Sequence, residues 1–118
     1  MELKSQRSAT FRWVTQSALG VLLLVLLGVH LVVNHWVAPQ GLLNYADVIR
    51  YYNVPGIAWM EITFLTVVTT HCLMGVHAIL LDLAFSSRMM KVLTWMLVVT
   101  GIGIVVYGIW LTWSVAAS

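Results

Sequence analysis

The sequence predicts an all-α membrane protein with three transmembrane helices, its N-terminus in the cytoplasm and its C-terminus outside. Three observations carry that expectation. Of 118 residues, 61% are hydrophobic and only 8% are charged, whereas a soluble domain carries about 25% charged residues. Three apolar stretches reach the roughly 20 residues needed to cross the hydrocarbon core. The basic residues are also unevenly placed: Lys4, Arg7 and Arg12 precede the first stretch, and Arg88 and Lys91 lie between the second and third. The first loop has only Arg50, set against Asp47 and Glu61. Positive charge flanking spans marks the cytoplasmic side.

The chain reads as one membrane domain, residues 1–118, with helices over about 12–37, 57–84 and 91–115. Residues 1–11 are polar and read as a surface lead-in. The first span is too long for a signal-peptide core and has no small-residue cleavage motif after it. Along it, Arg12, Gln16, Gly20, Leu23, Leu27, His30 and Asn34 recur at intervals of three and four. That stripe should face the protein. The loop from about Pro39 to Pro55 carries Tyr45, Tyr51 and Tyr52, with Trp36 and Trp59 nearby. It reads as an interfacial aromatic belt with a short surface helix around Tyr45–Tyr52. The turn at Ser86-Ser87-Arg88 is tight, so the second and third spans should be antiparallel neighbours. Gly101 and Gly108 share one face of the third span and invite close helix contact.

The second span carries the chemistry. His71 sits near its middle, and a charged group at that depth costs roughly 2.5 kcal/mol or more. An imidazole in a dry helical setting is the usual axial ligand of a b-type haem. Gly75, Ala78 and Asp82 follow it at four, seven and eleven residues, within about 40° of one another. Small neighbours at Gly75 and Ala78 would let a flat macrocycle approach the helix. Asp82, about 16 Å along the axis, would mark the cytoplasmic edge, in reach of a headgroup, a proton donor or a quinone ring. His77 points about 120° away from His71, towards a propionate, a quinone oxygen or another helix. His30 is a candidate ligand for a second, outer haem, and His35 reads as interfacial. Arg12 is placed for a propionate or a lipid phosphate. Glu61 reads as a carboxylate at a helix N-terminus. The lone Cys72 reads as a small apolar core residue, with no metal-ligand spacing. The basic residues flank spans and form no nucleic-acid patch.

His71-x-x-x-Gly75-x-x-x-x-x-x-Asp82, with Tyr107-Gly108, Trp113 and Val115, resembles the small hydrophobic membrane-anchor subunit of succinate dehydrogenase, respiratory complex II. The resemblance runs from about Leu43 to Val115. It implies that His71 is an axial ligand of haem b, shared with a sister membrane-anchor subunit. It implies iron–sulfur and flavoprotein partners and electron delivery to ubiquinone or menaquinone near Asp82 and His77. It also implies a place in a bacterial cytoplasmic membrane. Such a chain is not catalytic alone. In the family a Tyr follows the Asp and reaches the quinone; here Leu83 stands there, and His77 replaces a frequent Trp. The rival expectations are a fumarate reductase anchor, or a non-redox scaffold or transporter subunit whose histidines only join helices.

Overall fold

A computed structural model describes residues 1–118. It contains four helices and no strand: α1 (Glu2–Val37), α2 (Tyr45–Tyr52), α3 (Ile57–Asp82) and α4 (Ser87–Ala116). The three long helices are long and apolar enough to cross a membrane. At about 1.5 Å per residue they reach well past the roughly 30 Å hydrocarbon core. The molecule is elongated, 55 × 25 × 20 Å.

Helix α1 begins ten residues earlier than the expected span. The lead-in is helical because Glu2, Leu3, Lys4, Gln6, Arg7 and Ala9 are good helix formers and no Gly or Pro interrupts them. Helix α2 occupies the residues expected for the short helix between the first two spans. A capping box starts it: Asn44 Oδ1 accepts from Asp47 N at 3.0 Å, and Asp47 Oδ2 accepts from Asn44 N at 3.2 Å. Gly56 then adopts φ +89° to turn the chain into α3, a conformation open to glycine at little cost. Helix α4 starts at Ser86, whose hydroxyl accepts from Met89 N. Just before it, Ala84 takes φ 52°, a left-handed conformation that strains a residue with a Cβ.

Helix α3 is the centre of the bundle. It packs on α1 and on α4, whereas α1 and α4 make at most a marginal contact with each other. Helix α2 lies across one end, against α3 and α4. The predicted glycine face on α4 meets α3. A Cβ on Gly101 would come within 2.5 Å of Leu73, and one on Gly108 would come closer still to Leu65. The predicted stripe on α1 faces α3. From Gln16 beside Gly75, through Gly20 beside His71, to His30 beside Glu61, each step forward on α1 is a step back on α3. Inside the spans, hydroxyls of Thr66, Thr70, Thr94 and Ser114 donate to carbonyls four residues back, all at 2.8 Å. Lipid offers them no partner, so the helix must.

Only five of 118 residues are buried: Tyr51, Ile57, Ala58, Thr69 and Thr112. The exposed surface is apolar along its length, as lipid or a neighbouring helix requires. Cys72 departs from its expected place in a core; it is exposed.

Candidate functional site

His71 lies within one turn of the midpoint of α3. One edge of its ring lies on Gly20 of α1: a Cβ there would be 3.3 Å from Cε1 and 3.9 Å from Nδ1. Gln16, one turn earlier on α1, donates from Nε2 to the His71 carbonyl at 3.1 Å. Its amide occupies the space above Gly75, where a Cβ would lie 3.3 Å from Gln16 Nε2. The two helices are thus keyed reciprocally: each presents a polar side chain to the other's glycine.

This bears on the expectation for Gly75. Its missing side chain makes room for Gln16 of the same chain, and a macrocycle would not find that space free. Ala78 is exposed and lines a cavity instead. Two polar atoms near the key are shielded and unpartnered, His71 Nδ1 and Gln16 Oε1. Each such atom costs about 1–3 kcal/mol if left without a partner. The other ring nitrogen, Nε2, has no hydrogen bond within the chain and is not among the shielded atoms, so it reaches the surface. No three His, Cys, Asp or Glu side chains converge on a point that would hold a bare metal ion.

The cavity, about 830 Å³, opens between α1 and α4 with α3 as its floor. It exists because α1 and α4 pack on α3 and diverge from each other. It runs from Thr69 to Asp82, about 20 Å along the axis. Its walls are mostly apolar, from Leu73, Met74, Leu97 and Ile102 among others; its polar groups include Arg12, Gln16, His77, Thr94 and Asp82. Arg12 lines the cavity from α1 and Asp82 from the end of α3, and neither has an ion-pair partner within the chain. A cavity of this size with a few polar groups is the usual form of a small-molecule site.

His77 is joined to α4 through Thr94: its Nε2 lies 3.2 Å from Thr94 Oγ1. The hydroxyl's one hydrogen goes to Met90 O at 2.8 Å, so Oγ1 must accept and His77 Nε2 must carry the proton. In the neutral ring Nδ1 is then a bare acceptor.

At the opposite, α2-covered end, a second set of polar groups is gathered within the chain and mostly hydrogen-bonded there. Tyr51 donates its hydroxyl to Glu61 Oε1 at 2.6 Å. His30 Nδ1 lies 3.2 Å from the same oxygen, off the line of a good hydrogen bond. Asn34 Nδ2 donates to His30 O at 2.9 Å and lies 3.2 Å from His30 Nε2. The ring also stacks on Phe64 at 5.0 Å. His30, expected as a second haem ligand, has both ring nitrogens turned to partners in its own chain. Burial, with the Glu61 carboxylate beside it, pushes the Tyr51 hydroxyl well above the ordinary tyrosine range, and Tyr52 rises for the same reasons. Glu61 lies beyond the first turn of α3 and ties three elements together, a role its position near a helix start does not signal. His35 is exposed, as an interfacial residue should be. Trp59 and Trp113 meet edge to face at 5.5 Å at the same end.

Sequence reasoning missed Gln16 as a partner of His71, and Thr94. The α1 stripe contained Gln16, but only the register between α1 and α3 shows which residue it meets. In comparisons with known proteins, no family model, no curated protein and no solved structure matches this chain.

Proposed function

We propose that this chain is a membrane-anchor subunit of a succinate:quinone oxidoreductase in a bacterial cytoplasmic membrane. His71 is one axial ligand of haem b, and a sister anchor subunit gives the other. The observation that carries the reading is His71 itself. It is an imidazole near mid-span, fixed along one edge by Gly20, with Nε2 at the surface and free of partners. One accessible nitrogen on a helix surface fits a ligand set shared between two chains. When bound, the haem supplies a one-electron carrier inside the membrane.

The cavity fits the ring of a quinone. Its apolar walls suit the ring and tail, and its few polar groups offer hydrogen-bond partners to ring oxygens. His77 Nδ1 accepts a hydrogen bond from a quinol hydroxyl. Arg12, a donor only, serves a quinone carbonyl. Reduction of a quinone to quinol consumes two protons as well as two electrons. Asp82 and His77 are the titratable groups that line the cavity and can pass protons from the cytoplasmic edge. Lys4, Arg7, Arg88 and Lys91 share that edge and suit anionic lipid headgroups. The iron–sulfur and flavoprotein subunits dock on this side and complete the enzyme, and the quinone's potential sets the reaction's direction.

Purification through a tag on this chain, from its native membrane, tests the reading. The expected preparation contains flavoprotein and iron–sulfur subunits, reduces quinone with succinate and shows a b-type spectrum. A chain that purifies without any of these overturns it and favours a non-redox scaffold.

A further inference from the structure

We infer that Gln16 is the positioning residue of His71, its amide Oε1 taking the ring Nδ1–H directly or through one water. This rests on the haem reading above and concerns residues of this chain alone. Three observations lead to it. Gln16 already holds the turn that carries His71, donating from Nε2 to the His71 carbonyl at 3.1 Å. Its Oε1 is shielded and lacks a partner, and so is Nδ1 of His71. The two orphans are complementary, because an imidazole that offers Nε2 to a metal carries its proton on Nδ1. Gly20 closes the ring's other escape: at 3.3 Å from Cε1, a Cβ there would press on the imidazole.

The consequence is a defined tautomer and a defined ring plane. With the proton held on Nδ1, the lone pair stays on Nε2, the ring nitrogen that is not shielded. A histidine ligand usually gives its second nitrogen to a carboxylate, carbonyl or water, and the strength of that bond tunes the metal. Here an amide oxygen would fill the role, from a helix that carries no ligand of its own.

The test uses the complex and two substitutions. Gln16→Leu removes both the acceptor and the donor. Gln16→Glu keeps an acceptor, a stronger one, and loses the Nε2–H donor that ties α1 to α3. A stronger acceptor on Nδ1–H makes the imidazole more anionic and favours the oxidised iron; no acceptor favours the reduced iron. The expected midpoint potentials therefore move in opposite directions, Gln16→Glu down and Gln16→Leu up. Each shift is on the order of tenfold in the oxidised-to-reduced balance, about 59 mV for one electron. A purely structural tether predicts the same direction for both, since both lose the donor. Shifts of the same sign, or no shift in either, overturn the inference. Gln16→Met serves in place of Gln16→Leu if the latter fails to assemble.

A second readout needs no haem. Nitrogen-15 NMR of the ring in membranes holding the wild-type chain is expected to show His71 protonated on Nδ1. It should show a tautomer mixture in Gln16→Leu. An Nε2-protonated ring in the wild type overturns the inference even if the haem is present. A wild-type complex without haem overturns the haem reading instead and leaves this tautomer measurement to decide the role of Gln16.

Discussion

The two ends of the bundle solve the same problem differently. At the α2 end, Tyr51, Glu61, His30 and Asn34 face one another, with only His30 Nδ1 short of a good hydrogen bond, and Tyr51 is only 3% exposed. At the N-terminal end, α1 and α4 diverge, a cavity opens, and Arg12, Asp82 and His77 Nδ1 are left without partners in the chain. Buried polar groups in a membrane need partners more than polar groups in water do. A nearly closed network therefore marks an end largely complete in itself, and a set of open valences marks an end made for something else. The midpoint between them is His71, which is clamped on one edge and open on the other.

Substitutions should separate the ends, with large stability losses at one and small ones at the other. The largest loss is expected for Gly108→Leu, because a Cβ at that position already collides with Leu65. Overpacking there should cost about 3 kcal/mol, read as the midpoint of unfolding in mixed detergent. Tyr51→Phe removes the bond to Glu61 and should cost about 2 kcal/mol, the range for hydrogen bonds to charged groups. At the N-terminal end, Asp82→Asn and His77→Leu should each change stability by less than about 0.5–1 kcal/mol. They should, however, slow quinone reduction by about tenfold or more. Equal stability losses at both ends would break the comparison. The smallest effect is a gain: Ala84→Gly relieves a left-handed φ of 52° and should stabilise by about 0.5 kcal/mol.

The α2 end also makes a prediction in pH. The folded-state pKa of Tyr51 and Tyr52 lies above the usual value, so the fold keeps protons that the unfolded chain releases. Their stabilising effect is full below about pH 10, the unfolded value, and is lost as pH rises towards the folded ones. Alkaline melting followed by tyrosine absorbance should show this loss, and Tyr51→Phe should flatten it. A stability independent of pH above 10 would contradict the account of that end.

The division between the ends was only partly legible in the sequence. Spans follow from apolar length, and the α1 stripe and the Gly101–Gly108 face follow from helical periodicity. Register does not, because a membrane helix is apolar on nearly every face and its hydropathy cannot phase it against a neighbour. The keying of Gln16 to Gly75 and of Gly20 to His71 depends on that register, so the sequence alone does not pair them. Tyr51 and Glu61 are ten residues apart with a turn at Gly56 between them, and only the path of that turn brings them together. The stripe of His71, Gly75, Ala78 and Asp82 was correct as a face of α3, yet α1 covers its upper part and the cavity takes its lower part.

The central claim is that His71 is a haem ligand and that His30 is not. The reduced-minus-oxidised visible spectrum of the purified complex tests it most directly, in the wild type and in His71→Ala and His30→Ala. The account expects a b-type band in the wild type, its loss in His71→Ala and its retention in His30→Ala. A band that survives His71→Ala, or a wild type with no band, would contradict it.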